Sequence, residues 1–415
     1  MADSPPTLSI EFEETGRVWT QIESFTIDDD FTVEADAWSA VVKHNDPKEL
    51  RRIFLPLSRV RLYLGDKLQL VGRIKKTQGV RGSTSLRIEG YDYFADLVAP
   101  GVDPSVSIVN TMTLRDALLE GLRPHGITEI ETSLDEVVSR KMGNATIEVE
   151  DDRLARGLER FFPAYGQRVA TLIPESTFKQ VPVVEEVSAA QPQGQAGLLD
   201  WAQGLCSRFH ATLQPGSKRS AVAVVAPDYS KKAVFEFRRP DGNVQDAFAL
   251  RDWEQPPSVS AFRAKFVDEQ MRTRDAWHQI SLVDTPLGQL DEVKRILANA
   301  RAVPGRLKRT EKGDADSWYC PIYFKDTKSR KFSELESATQ QSLSEKTQNT
   351  LVYQCDLRSF FDESSGLIFT TNVLANVIDD IEDVEETLWI KKRSLGHHGG
   401  DFATLTLIRP ASYIL

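Results

Sequence analysis

The residues most capable of chemistry form one acidic run near the C-terminus, Asp379-Asp380-Ile381-Glu382-Asp383-Val384-Glu385-Glu386. Its six carboxylates could hold a hard cation such as Ca²⁺ if one loop gathered their oxygens. The run lacks the glycine and the regular oxygen spacing of a calcium-binding loop. A run of like charges is also typical of a solvated loop between two strands, and we favour that interpretation.

Other reactive side chains are scattered along the chain. Ser176 and Lys179 have the Ser-x-x-Lys spacing of a serine activated by a lysine, but the Ser-Asp-Asn and Lys-Thr-Gly elements that accompany it are missing. His397 and His398 stand in a glycine-rich turn, which favours a hairpin tip over a metal site. The phosphate-loop, dinucleotide, zinc-protease, hydrolase-elbow and EF-hand motifs do not occur. We therefore predict no catalytic residue, no cofactor, no metal site and no enzyme.

Composition and charge exclude several classes of protein. Cys206, Cys320 and Cys355 are odd in number and far apart, which indicates reduced core thiols rather than a disulfide framework or a zinc site. No export signal is readable, and no apolar run approaches the roughly 18 residues of a membrane-spanning helix. We expect a chain kept in a cytoplasm after synthesis. The net charge of −10 argues against broad binding to the phosphate backbone of nucleic acids.

The elements that must position these residues change in type along the 415 residues, a length that predicts about two to four domains. Apolar and polar residues alternate over 8–12, 60–64 and 85–89, which predicts half-buried strands of a barrel or sandwich. The Pro- and Gly-containing segment 99–104 ends this region. Leu114, Leu118 and Leu122 then follow helical spacing behind Thr113, a suitable N-cap.

Later segments continue this mixed pattern. Further predicted elements are helices within 154–162 and 198–209, a linker at 183–197, two strands within 261–282, helices near 285–300 and from 333, and strands from 351 to the C-terminus. The fold class is therefore α+β and mainly β. We predict a first antiparallel β-barrel at 1–100, a mixed α/β region at 101–250, and a second barrel at 251–415 with inserted helices at about 284–348.

Two hairpins on either side of the mixed region echo each other in sequence. Residues 71–76, a glycine-bearing turn and 85–88 are similar to 388–392, a glycine turn and 403–408. Either both β regions share one hairpin plan, or two amphipathic hairpins match by chance. Trp253, Trp277 and Trp389 fall in the second β region. Core positions are favoured for them, and they are also the candidate anchors of a subunit or partner interface.

The order of several short motifs extends this picture over most of the chain. They are LVGRI at 70–74, LRIEGYDYFADLV at 86–98, LVYQCDL at 351–357, GLIF at 366–369, LWIK at 388–391 and LTLIRPASY at 405–413. In this order they resemble the baseplate hub family of contractile-tailed phages, the Mu-like tail hub or late control D family in particular. Members of the family also occur in contractile injection systems.

The resemblance implies a homotrimer in which each subunit supplies two tube-like β-barrels. Three subunits would form a trimeric ring of six similar units, which adapts a six-fold tail tube to a three-fold central spike. The implied partners are the tail tube protein, the central spike protein and other baseplate proteins, with assembly in the host cytoplasm and a final place in the tail baseplate of the virion. DNA would pass through the ring without specific binding, and an acidic lining would repel its phosphates.

Three other functions stay open at this point. The first is the hub of a tailocin or another contractile injection system, which would share the fold and differ in its cargo. The second is a tail-associated cell-wall hydrolase, although no pair of acids and no Ser/His/Asp grouping stands out. The third is a carbohydrate-binding module, which aromatic residues in β-rich segments would suit.

Overall fold

The structure is a computed structural model, and it describes residues 7–32, 35–103, 106, 108–109, 111–142, 144–150, 178–184, 197–207, 209, 211–227, 229, 231–252, 259–267, 273–282, 285–300, 307–308, 317–318, 321–326, 339–340, 342–344 and 347–410. The α-helices are α1 (Pro47–Ile53), α2 (Ala95–Val98), α3 (Leu114–Leu122), α4 (Asp135–Val138), α5 (Leu198–Ser207) and α6 (Asp291–Ala300). Short 3₁₀ helices occupy Arg123–His125 and Leu287–Gln289.

Strands account for most of the regular structure. The first strands are β1 (Leu8–Phe12), β2 (Val18–Trp19), β3 (Ile22–Asp30), β4 (Ala37–Lys43), β5 (Arg59–Leu64), β6 (Lys67–Gly79), β7 (Ser85–Asp92), β8 (Glu129–Thr132), β9 (Asn144–Glu150), β10 (Phe178–Val184), β11 (Thr212–Pro215) and β12 (Ala221–Val225). The later strands are β13 (Phe235–Arg239), β14 (Val244–Arg251), β15 (Val259–Val267), β16 (Thr273–Ser281), β17 (Leu307–Lys308), β18 (Ser317–Trp318), β19 (Pro321–Asp326), β20 (Leu351–Leu357), β21 (Val373–Asp379), β22 (Val384–His397) and β23 (Asp401–Ile408).

The chain divides into two compact units. The first contains Met1–Gly143, Glu186–Phe248 and Tyr353–Leu407, and the second contains Asn144–Glu185, Ala249–Val352 and Ile408–Leu415. The division therefore falls inside β14, β20 and β23. The three consecutive domains expected from the sequence, at 1–100, 101–250 and 251–415, stay a prediction.

A large sheet dominates the first unit. Its strands lie in the order β14-β20-β23-β22-β3-β4-β7-β6-β5-β1-β2, with β21 beside β22 and β13 beside β21. The mainly β character is thus confirmed. Strands of both predicted barrels belong to this one 13-stranded sheet, and no closed barrel is found within the described ranges.

Apart from β2, which pairs with β1 at one edge, the sheet consists of two halves with the same strand order. The N-terminal half-sheet is β3-β4-β7-β6-β5-β1, and the C-terminal half-sheet is β14-β20-β23-β22-β21-β13. In each half, numbering the strands along the chain gives the spatial order 2-3-6-5-4-1. The halves differ in the direction of one edge strand, because β1 runs antiparallel to β5 whereas β13 runs parallel to β21. The order agrees with the predicted repeat.

Alternating burial explains why the predicted strands form. Leu8, Ile10 and Phe12 of β1 are buried, and the polar residues between them are partly exposed. Leu86 and Ile88 are buried in β7 as expected, but Ser85, predicted to face outward, is also buried and donates a hydrogen bond to Glu23 Oε2 at 2.7 Å. Pairing of this polar group makes its burial tolerable.

The mixed region of the first unit surrounds a separate core. β12 pairs antiparallel with β11 and parallel with β8. Helix α3 begins with a capping box, in which Asp116 N donates to Thr113 Oγ1 at 3.1 Å and Thr113 N donates to Asp116 Oδ2 at 3.3 Å. Its leucines at 114, 118 and 122 are buried. The predicted helices at 114–122 and 198–209 are thus observed, the second as α5.

The second unit contains smaller sheets. β15 pairs antiparallel with β16 and parallel with β19, and β9–β10 and β17–β18 form two-stranded pairs. Leu282, Leu287, Val293 and Leu343 form a buried cluster. The two strands expected within 261–282 are observed. The helix predicted within 154–162 lies outside the described residues, as does most of the linker at 183–197, whose first residues end β10. Of the helix predicted from 333, residues 339–340, 342–344 and 347–348 are described, and they are helical.

Candidate assembly site at the seam of the sheet

The two half-sheets meet where β3 pairs with β22. We call this joint the seam and define it by its register, which runs antiparallel from Lys392 opposite Asp30 to His397 opposite Phe25. The N-terminal part of β22 pairs instead with β21, as far as Val373 opposite Ile390. The N-terminal part of β22 therefore pairs with β21 of its own half-sheet, and its C-terminal part pairs with β3 of the other half-sheet.

Apolar side chains close one part of the seam. Phe25 and Ile27 of β3 are 6% and 1% exposed, and Leu395 of β22 is fully buried. The Phe25 ring lies 6.0 Å from the ring of Phe360 and is stacked at 6.5 Å on His397. Burial of this apolar area stabilises the joint between the halves.

An arginine holds the other part of the seam. Arg393 is 5% exposed, and its Nε lies 2.8 Å from Asp29 Oδ2. Its Nη1 donates to the carbonyl of Phe369 at 2.6 Å and to Gln69 Oε1 at 3.1 Å. Because these partners belong to both half-sheets, one side chain ties β3, β6 and the segment before β21 to β22. Such charge-assisted hydrogen bonds are stronger than neutral ones.

Two more carboxyl groups lie beside this ion pair. Burial, reinforced by the charges of Asp29 and Asp92, raises the pKa of Asp36 to about 9. Burial also raises the pKa of Asp92 to about 7, against the hydrogen bonds that backbone amides donate to it. Asp92 Oδ2 is buried and has no hydrogen-bond partner within the described part of the chain. Arg393 pairs with Asp29, and the raised pKa values of Asp36 and Asp92 favour the protonated, neutral form of these two carboxyl groups.

The acidic run from Asp379 to Glu386 forms a hairpin turn and the start of β22. Residues 380–383 connect β21 to β22, as the loop interpretation predicted. Asp379 differs from a solvated acid, because its side chain is buried. It accepts from Tyr353 Oη at 2.8 Å and from the backbone amides of Ile381 and Glu382 at 3.0 Å each.

Arg239 neutralises this buried carboxylate. Its Nε lies 3.2 Å from Asp379, and its Nη1 donates to the carbonyl of Ala247 at 2.9 Å. Burial is the main reason that the pKa of Tyr353 lies above its usual range, and the hydrogen bond to Asp379 adds to it. The arrangement anchors β13, β20 and β21 to one another. It is a structural cluster, since every oxygen of Asp379 is already engaged by the protein.

The three predicted interface tryptophans have different outcomes. Trp389 is 2% exposed, its ring lies 5.3 Å from Phe31 and 5.6 Å from Tyr229, and its Nε1 donates to Asn372 at 3.2 Å. It is a core residue of this chain. Trp277 lies in β16 opposite Arg263, and Trp253 lies outside the described residues. A subunit or partner interface at these residues stays a prediction.

The remaining reactive residues do not form a reaction centre in the described ranges. His397 and Asp401 flank the tip of the β22–β23 hairpin, with 2.6 Å between Nδ1 and Oδ1, as the turn around 397–398 predicted. Cys206 and Cys355 are buried free thiols, and burial raises the pKa of each. No group of three or more His, Cys, Asp or Glu side chains there has the geometry to hold a metal ion. No described helix is both long and apolar enough to cross a bilayer.

The residues that organise the seam were not identified in the sequence. Arg393 and Asp29 are 364 positions apart, so no local spacing connects them. A usable signal existed in β3, where Asp28, Asp29 and Asp30 follow directly on the alternating residues Phe25-Thr26-Ile27 and end the strand. Three carboxylates at a strand end indicate a cationic partner on the neighbouring strand.

Comparison with solved structures identifies this architecture. Over 99% of its length the chain superimposes on 98% of the tail protein from Neisseria meningitidis MC58, with 13% sequence identity and a TM-score of 0.61. The 43 kDa tail protein of prophage MuSo2 from Shewanella oneidensis matches over 99% of both chains, with 13% identity and a TM-score of 0.62. The chain has the fold of a phage tail protein.

A third structure extends the comparison. The prophage tail protein gp18 from Listeria monocytogenes EGD-e covers 96% of this chain with 94% of its own, at 10% identity and a TM-score of 0.51. No family model matches the sequence, and no curated protein matches it either. The fold is therefore shared with tail proteins over the whole chain, although the sequences have diverged widely.

Proposed function

We propose that this protein is a structural baseplate hub of a contractile phage tail. Three subunits form a ring whose six half-sheets contact a six-fold tail tube on one side, while the three-fold order of the subunits matches a central spike on the other. The observation that carries the proposal is the repeated strand order of the two half-sheets, 2-3-6-5-4-1 in each. The shared fold with phage tail proteins supports it.

Symmetry explains why a repeat suits this task. A closed ring of identical chains has as many equivalent positions as it has subunits. A chain with two similar halves doubles the number of similar positions without doubling the number of chains. Three such chains offer six similar surfaces to the tube and three equivalent surfaces to the spike. Each half-sheet would then occupy one of the six positions only when the ring is assembled.

The partners and the channel follow from this assembly. We infer contacts with the tail tube protein, the central spike protein and other baseplate proteins, in the virion tail after assembly in the host cytoplasm. The opening of the ring would let DNA pass, and the net charge of −10 disfavours adhesion of its phosphates. The protein would act without catalysis. The hub of a tailocin or of another contractile injection system would have the same architecture and a different cargo.

Deletion of the coding sequence from the genome that carries it tests the proposal. We expect particles without a completed baseplate and spike in electron micrographs, and recovery of complete tails when the wild-type chain is supplied in trans. Complete tails without the chain would overturn the proposal. A turbidity assay on purified cell walls gives a second criterion, because clearing by this chain alone would indicate a hydrolase instead.

A further inference from the structure

Because the two half-sheets have the same strand order, each strand of the seam has an equivalent strand in the other half-sheet. In the strand order, β14 holds the position of β3, and β6 holds the position of β22. The seam itself pairs β3 of the N-terminal half-sheet with β22 of the C-terminal half-sheet. The reciprocal joint, β14 with β6, does not occur within the described chain. The edge of β14 therefore corresponds to the edge of β3 that pairs with β22, and the edge of β6 corresponds to the edge of β22 that pairs with β3.

The C-terminal part of β6 is the first such edge. Pairing of β6 with β5 ends at Arg73 opposite Arg59, and from Lys76 to Gly79 the described partner is β7 alone. On β22 the corresponding edge, beyond Ile390, is occupied by β3. Burial differs accordingly: residues 75–79 of β6 are mostly exposed, whereas Arg393 and Leu395 of β22 are buried.

The outer side of β14 is the second edge. β14 ends the sheet order, with no strand on its far side among the described elements. Its sequence Phe248-Ala249-Leu250 aligns with Phe25-Thr26-Ile27 of β3. The two apolar side chains of β3 are 6% and 1% exposed, whereas those of β14 are 51% and 54% exposed. Large apolar side chains exposed side by side on an edge strand mark a docking surface.

We propose that β14 of one subunit pairs antiparallel with the C-terminal part of β6 of the next subunit, a second copy of this chain, and so repeats the seam between chains. This proposal rests on the trimeric ring proposed above and specifies its contact. Two kinds of joint then alternate around the ring, β3 with β22 inside a chain and β14 with β6 between chains. Closure would add a strand beside each of these two edges in every subunit.

A cavity marks where the aromatic side chain of β14 would lie. It has a volume of about 230 Å³ and opens at the end of β6. Its lining combines the apolar residues Leu50, Val80 and Leu86 with the polar residues Arg51, Arg81, Ser83, Thr84 and Ser85. In the seam, the Phe25 ring occupies the corresponding end of β22, over His397. Phe248 of the neighbouring subunit would enter this cavity, with its ring near a guanidinium group in place of the imidazole.

A pair of surface variants tests the contact. Phe248→Ser removes the proposed anchor, and Ile381→Ser makes the same kind of change at an apolar side chain, 65% exposed, in the β21–β22 turn. We expect Phe248→Ser to raise the trimer dissociation constant by roughly 10- to 100-fold per contact, the value of one buried aromatic side chain. Ile381→Ser should leave it unchanged. Sedimentation velocity over a concentration series measures both.

Disulfide trapping tests the register independently of stability. The seam pairs Thr26 with Gly396, which corresponds to Ala249 with Val80 when Ile74-Lys75-Lys76 is aligned with Ile390-Lys391-Lys392. In a background with Cys320→Ser, we expect the pair Ala249→Cys and Val80→Cys to give a covalent trimer on oxidation. The pair Ala249→Cys and Lys67→Cys, at the other end of β6, should give none.

The outcomes separate this contact from the ring itself. A wild-type trimer that survives Phe248→Ser and gives no covalent trimer through Val80 would overturn the contact and leave the ring standing. A wild-type chain that stays monomeric at high concentration would overturn the ring, and the contact with it. Cross-linking through Lys67 as efficient as through Val80 would show that the register is wrong.

Discussion

Replacement of Arg393 by methionine should open the seam. The side chain is 7% exposed, and the substitution removes its hydrogen bonds to Asp29, Gln69 and the carbonyl of Phe369. It leaves Asp29, 18% exposed, without its cation and close to the carboxyl groups of Asp36 and Asp92. Removing one partner of a buried ion pair typically costs about 3–5 kcal/mol. Because Asp29 keeps some exposure to water, we expect about 3 kcal/mol.

Hydrogen exchange measured by mass spectrometry reports this loss at the seam itself. A cost of about 3 kcal/mol corresponds to a roughly 100-fold faster exchange of the amides of β3 and β22, with β11 and β12 unchanged. Adding Asp29→Asn should recover part of the protection, because the second change removes the unpaired charge. The control is Arg238→Met, which breaks an exposed ion pair with Glu236 and should change nothing. Unchanged exchange in Arg393→Met, or no recovery in the double variant, would refute the role given to the ion pair.

Further predictions concern pH, packing and helix capping. Because the folded-state pKa of Asp36, about 9, exceeds its unfolded value near 3.8, the folded state holds a proton that the unfolded state releases. Asp36 alone should therefore lower stability by about 1.4 kcal/mol per pH unit from pH 6 to 8, and Asp92 should add to the fall up to its own pKa of about 7. Asp36→Asn should reduce the slope of the urea midpoints, and an unchanged slope would contradict the assignment. Gly90→Ala should cost about 1–3 kcal/mol, because the new Cβ would clash with the carbonyl oxygen of Arg73 and with the ring of Trp38, whereas Gly400→Ala meets no atom within 4 Å and should melt like the wild type. Thr113→Ala should cost about 1 kcal/mol through loss of the N-cap, with faster exchange confined to the first turn of α3; equal protection there would count against the capping box.

The sequence predicts local elements well where one physical signal dominates. Alternation gives β1 and β5 because one face of each strand is buried. Leucine spacing and the cap at Thr113 give α3. The sequence similarity of the hairpins around 71–88 and 388–408 also agrees with the matching strand order of the two half-sheets.

The seam could not be predicted because it joins distant segments. Its register brings Asp29 opposite Arg393 across more than three hundred residues, and neither residue stands in a motif. A charged side chain is buried only where a partner compensates its charge, and here the partner is distant in the sequence. Hydropathy alone therefore predicts that Asp29 and Arg393 lie at the surface. The acidic run shows the same limit, since the geometry of its turn, rather than its composition, places Asp379 against Arg239.

Electron microscopy of the purified protein tests the central claim most directly. The account predicts a ring of three chains around a central opening, with a mass near three times 46.6 kDa and six similar lobes in projection. A monomer, a dimer or a particle without an opening would contradict it.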